Sequence, residues 1–219
     1  MEPLVIVGAG GFGREVLWLV EEINAANPTW EVLGFLDDLQ PAHHASDGPP
    51  FLGPVAAYGQ LGSPRAVCAI GSPRVRMAKV QRLEEMGVRW ATLIHPRASV
   101  SRRARIDEGS IICHAASVSV EARIGRHAHL NHGVLVAHDV VLGEACTLSP
   151  HADVNGAAVL EEGVFLGSHA CVLPGARVGA WATVGAGSVV LSNVAANTTV
   201  FGVPARQVPA VTPPTPPRP

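Results

Sequence analysis

Lysine is almost missing from this chain. Lys79 is the only one, and arginine supplies the rest of the 16 basic residues. Against 18 acidic residues the formal net charge is −2, and the isoelectric point is near 6.5. That balance excludes a basic groove for nucleic acid or an anionic membrane surface. Aromatic residues make up only 5%, so the core must be filled by Val, Leu, Ile and Ala. No window of 18 apolar residues exists, which excludes an ordinary membrane-spanning helix. The short apolar start Leu4–Val7 stops at a glycine cluster and has no basic flank, so no secretory signal is expected. The four cysteines (Cys68, Cys113, Cys146, Cys171) contain no close CxxC pair and are expected to be reduced, in a cytoplasmic protein. What the chain has is 47% hydrophobic residues, 23 glycines and 18 prolines in 219 residues. Such a chain folds, as one large domain or two small ones.

Two different periods divide it. Residues 1–96 alternate apolar runs with helical patterns, which predicts an α/β unit with a parallel sheet. Strands are expected at Leu4–Val7, Glu31–Leu36 and Ala66–Ile70. Helices are expected over Arg14–Ala26 and, capped by Ser72 with Pro73 in the first turn, to about Met86. Residues 39–54 read as a loop rich in Pro, His and Gly.

Residues 97–192 obey a six-residue rule. Every sixth residue from Val100 to Val190 is Val, Ile or Leu, sixteen positions in register. The residue two places before each is Ala, Ser, Cys or Val, and glycine follows the aliphatic at Gly125, Gly143, Gly167, Gly179 and Gly185. A helix would repeat at 3.6 and a plain strand at 2. Six is the hexapeptide β-helix period, three hexapeptides to a triangular coil. The aliphatic points inward and the small residue sits at the tight corner, giving about five coils. Residues 193–208 are expected to cap the coil, and the proline-rich 209–219 to be disordered.

Coil geometry brings chemistry together. Residues 18 apart stack at about 4.8 Å, the ordinary strand spacing. His138 lies two places after the inward Val136, so its side chain leaves the coil; Asp139 is its neighbour and Gly156 stacks over it. Acyl transfer from a thioester needs a base, a carboxylate to fix the imidazole and an N–H donor for the oxyanion. His138, Asp139 and the Gly156 N–H supply all three. In the first unit, Gly8, Gly10 and Gly13 form a GxGxxG pattern between a strand and a helix, the setting for phosphate at a helix N-terminus. Some 90 residues are too few for a complete two-halved dinucleotide fold, which argues against NAD. His127 and His132, five apart, invite a trimeric metal-hydratase reading, but the residue 36 before His127 is Ala91, and no metal site is expected. His114 and His132 stack in one column; site, interface and plain surface readings all stand, plain surface favoured. Trp181 is expected to point outward.

The segments GAGGFGREV (Gly8–Val16), FLDD (Phe35–Asp38), AIGS (Ala69–Ser72), IHP (Ile94–Pro96), AHDVVLG (Ala137–Gly143) and GVPAR (Gly202–Arg206), together with the hexapeptides, resemble the bacterial sugar O-acyltransferase family. That family includes the sialic-acid O-acetyltransferases and the nucleotide-aminosugar N-acetyltransferases, and the resemblance covers residues 4–208. It implies a left-handed β-helix, a homotrimer, acetyl-CoA held between neighbouring β-helices and a nucleotide-sugar at the first unit. It places the catalytic histidine at His138. It also implies a donor path along Gly167-Ser168 and Gly185-Ala186, with Gly156 and Thr147 beside the acetyl group, and an acceptor site at Gly8, Gly10, Gly11, Phe12, Arg14, Asp37, Gly71 and Ser72. The chain departs from the family twice: Thr147 stands where some members carry a second histidine, and Phe12 where many carry a histidine near the phosphates, leaving Arg14 to reach them. The leading expectation is N-acetylation of a UDP-4-amino-sugar in surface-glycan synthesis. The alternatives are O-acetylation of sialic acid or another sugar, and a non-catalytic nucleotide-sugar sensor.

Overall fold

The computed structural model describes residues 1–39 and 48–209. The expected tail 209–219 lies outside these apart from Pro209, as does half of the 39–54 loop (40–47).

The N-terminal unit runs β1 (Glu2–Val7), α1 (Gly11–Ala26), β2 (Trp30–Leu36), β3 (Phe51–Gly53), a 3-10 turn over Val55–Gln60, β4 (Arg65–Cys68), α2 (Pro73–Glu84) and β5 (Arg89–Trp90). The five strands form one parallel sheet in the order β3-β2-β1-β4-β5. α1 starts three residues earlier than the apolar spacing predicts, because Gly10 takes the N-cap position. Ser72 occupies the N-cap of α2, but its hydroxyl makes no capping bond, contrary to the expected role. β4 ends at Cys68, not Ile70, and Phe51–Gly53 leaves the expected loop to form the sheet edge.

The second unit is a triangular parallel β-helix. Sixteen two-residue strands, from Ser99–Val100 to Val189–Val190, each end on one of the predicted aliphatics. Strands 18 residues apart pair in register, as Ser117 with Leu135 and Leu135 with Asp153. The inward aliphatics and the small residues two places before them form one core, most of it fully buried. Three faces result. The first contains the strands ending at Ile112, Leu130, Leu148, Leu166 and Val184; the second those ending at Val100, Val118, Val136, Val154, Val172 and Val190; the third those ending at Ile106, Ile124, Leu142, Leu160 and Val178. The fold is thus a Rossmann-like unit followed by a left-handed parallel β-helix.

The coil begins earlier than the expected boundary at 96/97. Leu93–Ile94 pairs with Ile111–Ile112 as the first strand of the first face, and Ile94 keeps the six-residue period. At the other end Thr199–Phe201 and Arg206–Val208 form an antiparallel hairpin that closes the first face.

The corners are turns with one left-handed residue each. From Gly109 to Gly187, every sixth residue has a positive φ, and most are not glycine; Asp139 is one, at 59°. The glycines after the aliphatics serve another purpose. At Gly167 a Cβ would stand 2.5 Å from the Ala186 nitrogen of the next coil.

The two units share a core. Leu4, Ile6, Val16, Leu19 and Phe35 pack with Leu93, Ile111 and Cys113 of the first face. Each fully buried aliphatic there contributes about 1.5–3 kcal/mol. The N-terminal unit therefore sits on the first face. No helix among the described residues is long and apolar enough to cross a membrane.

Candidate active site

The corner between the second and third faces carries His138 and Asp139. Both side chains are exposed, and His138 Nδ1 lies 2.8 Å from Asp139 Oδ2. The left-handed φ of Asp139 turns the chain here, and its N–H donates to the Val120 carbonyl one coil below. With Nδ1 facing the carboxylate, Nε2 is the free ring nitrogen. The ring lies over Gly156: a Cβ there would stand 2.6 Å from Cε1 and 2.7 Å from Nε2. The Gly156 carbonyl accepts from Gly175, while its N–H has no partner among the described residues. An imidazole, a carboxylate and a backbone N–H thus share one corner.

The glycine loop, Asp37 and Gly71 stand together at the carboxyl ends of the parallel strands of the N-terminal unit. The order β3-β2-β1-β4-β5 reverses direction between β1 and β4, the place where open α/β sheets bind ligands. The glycines there divide by role. Gly8 has φ +109°, and a Cβ on Gly13 would stand 2.0 Å from the Gly8 carbonyl oxygen, so these two let α1 pack against β1. Around Gly10 and Gly71 nothing lies within 4 Å of a Cβ position, and at Gly11 only the Arg14 guanidinium does. That open space, beside an exposed Arg14 with no ion pair among the described residues, suits a diphosphate. Asp37 accepts N–H bonds from Ala9 (2.9 Å) and Leu39 (3.0 Å), holding the glycine loop to the end of β2. Asp38 pairs with Lys79, whose hydrogen bond holds its carboxyl below the usual range.

Other expected residues are placed differently. Thr147 is 2% exposed. Its hydroxyl donates to the Gly71 carbonyl at 2.9 Å and accepts from Arg76 at 2.9 Å, so it belongs to the junction of the two units and not to an open donor surface. Phe12 is partly buried and packs on the buried His129 ring, centroids 5.1 Å apart. Gly167 and Gly185 have structural causes: Ala186 crowds the first and the Phe201 ring the second. Ser168 is half-buried and Ala186 exposed on the corner between the first and second faces. His114 and His132 lie lower on the same corner, where His132 stacks on Trp18 at 5.8 Å and His114 meets His95 edge-on at 4.9 Å. His127 is buried edge-on against Trp90, at a different corner from His132. Trp181 lies under the Arg74 guanidinium, 4.7 Å from its centroid, and borders a cleft of about 490 Å³ with Ser72, Phe165 and Thr183.

Sequence reading missed Arg76. It is fully buried, and the signal was present: buried Pro73, Arg76, Val80 and Leu83 mark one face of α2, with an arginine inside the apolar stripe.

A family model described as the PglD N-terminal domain matches residues 3–83. No curated protein sequence matches the chain. Among solved structures, the acetyltransferase domain of PglB from Neisseria gonorrhoeae in complex with acetyl coenzyme A is 29% identical; the match covers 94% of this chain and 99% of that one, with a TM-score of 0.86. A mutant of perosamine N-acetyltransferase from Caulobacter crescentus, in complex with CoA and GDP-perosamine, is 31% identical over 96% of this chain and 98% of that one, with a TM-score of 0.84. WeeI from Acinetobacter baumannii is 28% identical over 95% and 100%, with a TM-score of 0.84. This extent of likeness, across both units at once, makes the chain a member of the hexapeptide-repeat family of nucleotide-aminosugar N-acetyltransferases.

Proposed function

We propose that the protein transfers the acetyl group of acetyl-CoA to the amino group of a nucleotide-linked amino sugar, a UDP-4-amino-sugar first among the candidates, in bacterial surface-glycan synthesis. The observation that carries this reading is the 2.8 Å contact of His138 Nδ1 with Asp139, which leaves Nε2 free beside the unpartnered Gly156 N–H. Acetyl-CoA dependence is supported by the relatives bound to acetyl-CoA or CoA, and a nucleotide-sugar acceptor by the GDP-perosamine complex.

The step is direct. Nδ1–H donates to Asp139, and Nε2 takes the proton from the acceptor amine as its nitrogen attacks the thioester carbonyl carbon. The Gly156 N–H donates to the oxyanion of the tetrahedral intermediate. The intermediate collapses with cleavage of the C–S bond, and the imidazolium returns its proton to the departing CoA sulfur. Asp139 stabilises the imidazolium between these events. The acceptor's diphosphate rests at Gly10, Gly11 and Arg14, with Gly8 and Asp37 shaping the loop and Gly71-Ser72 across the crevice. The donor passes the corner of Ser168 and Ala186.

The reading includes a homotrimer. The acceptor crevice stands on the first face, and His138 stands at the opposite corner of the same prism, between the other two faces. This separation supports an arrangement in which a second copy supplies His138 to the acceptor. The cytoplasm, where acetyl-CoA and nucleotide-sugars are made, is the proposed location, and the unpaired cysteines agree with it.

The test is CoA release by the wild type and His138→Ala with UDP-, GDP- and dTDP-linked 4-amino-sugars and with sialic acid. One nucleotide-linked amino sugar should turn over. His138→Ala should lose about 10²–10⁴-fold in kcat while still binding CoA. Turnover of sialic acid alone would transfer the site to O-acetylation. Nucleotide-sugar binding with no CoA binding would make the protein a sensor.

A further inference from the structure

Arg76 is a fully buried cation with no acidic partner among the described residues. A buried charge is normally paired, since its desolvation is expensive. Here carbonyl oxygens do the work. Nη1 donates to the Ile70 carbonyl (2.7 Å), lies 3.4 Å from the Gly71 carbonyl and meets His129 Nδ1 at 3.0 Å. Nη2 donates to the Ala145 carbonyl (2.6 Å) and to Thr147 Oγ1 (2.9 Å). Burial pulls the guanidinium down to about 10, so it remains charged at neutral pH. His129, beside it, is held neutral by burial and by this same charge.

The two nitrogens of one planar fork therefore grip two units. One holds the loop after β4, and the other holds the coil that follows His138. The grip also has a direction. A trans peptide places its C=O and N–H on opposite sides. With the Ile70 and Gly71 carbonyls drawn toward Arg76, and Thr147 donating to Gly71 as well, the N–H groups of Gly71 and Ser72 point away from the junction. Neither has a partner among the described residues, and the space beyond Gly71 is open.

We propose that Arg76 is a positioning residue for the acceptor: it turns the Gly71 and Ser72 N–H groups into the nucleotide-sugar crevice and, through Thr147, fixes their height against the β-helix. It touches neither substrate. The inference rests on the acceptor reading above and adds its ordering device. Thr147 acquires a purpose from it, as the hydroxyl that both receives from Arg76 and donates to Gly71.

Arg76→Lys and Thr147→Val separate this role from bulk stability. Lysine keeps the charge but cannot fork between two units. Valine keeps the shape of threonine and removes the hydroxyl. The readout is KM for the acceptor and for acetyl-CoA separately, with kcat, the melting temperature and nucleoside-diphosphate titration alongside. Arg76→Lys should raise the acceptor KM about tenfold or more and weaken nucleoside-diphosphate binding in parallel, with the acetyl-CoA KM within about twofold. Thr147→Val should move the same constants in the same direction by less. An unchanged acceptor KM, or both KM values rising together in step with lost stability, overturns the proposal. If Arg76→Lys does not fold, Thr147→Val decides alone. A wild type that acetylates no nucleotide-linked amino sugar defeats the functional reading instead, and the titration still reports on the crevice.

Discussion

The imidazole edge of His138 occupies the place where a side chain on Gly156 would stand, with Cε1 2.6 Å and Nε2 2.7 Å from that Cβ position. The two residues are 18 apart in sequence and one coil apart in space. The missing side chain lets the ring lie across the coil above and keeps Nε2 near a free N–H.

Gly156→Ala tests that contact. The φ of Gly156 is not in the left-handed region, so alanine fits the backbone and the coil should survive. The ring must swing off. The expected result is a kcat lower by about 10²-fold or more, with the melting temperature and CoA affinity near wild type. Wild-type turnover in this variant would remove the ring position from the mechanism.

Asp139→Asn keeps a residue type that tolerates the left-handed turn. It removes the negative charge that orients Nδ1–H and stabilises the imidazolium. The kcat should fall by about 10–10³-fold, with little change in either KM. Equal loss with Asp139→Ala and no loss with Asp139→Asn would reduce the carboxylate to a turn former.

Arg14→Ala should raise the acceptor KM by about tenfold, leave kcat nearly unchanged and flatten the salt dependence of that KM. Steady-state kinetics at two ionic strengths reads all three. A matching rise in the acetyl-CoA KM would place Arg14 elsewhere.

Stability should fall in mild acid. Burial, with Arg126 and Arg76 nearby, pushes His127 down to about 3, and His129 is also held well below the usual histidine range. In the unfolded chain both take up protons near pH 6.5. The unfolded state thus binds more protons between about pH 6.5 and 3, so the stability present at neutral pH is lost as pH falls through that window. His127 contributes a slope of about 1.4 kcal/mol per pH unit there, and His129 acts in the same direction. Melting temperatures from pH 8 to 4 measure it, and His127→Phe should make the curve shallower.

Much of this was legible in the sequence, for reasons that differ by element. The six-residue period places each strand of the β-helix because one aliphatic per side must fill a core that admits nothing larger. The stacking of Gly156 on His138 follows from the period, 18 residues to a coil. The Phe51–Gly53 edge strand was hidden because three residues beside a proline-rich stretch have no period to show. Ile94 kept the period, yet its partial exposure at the open first coil places it outside the buried core. Arg76 showed only as an arginine inside the apolar stripe of α2, with no sign of its partners, and Thr147 could not be placed. Their roles arise where one unit lands on the other, and no local pattern encodes that docking. The split among the glycines was equally invisible: Gly8 and Gly10 look alike until one meets a carbonyl and the other open space.

The placement of His138 across the prism from the acceptor crevice has a genetic consequence. If each working centre borrows its base from a neighbouring chain, a defect in the base and a defect in the crevice lie in different centres of a mixed assembly. Assayed at low acceptor concentration, where both variants are slow, co-expressed His138→Ala and Arg14→Ala chains would rebuild intact centres wherever an unaltered crevice meets an unaltered corner. Two damaged alleles would then complement one another, and a single allele could partly poison a healthy one.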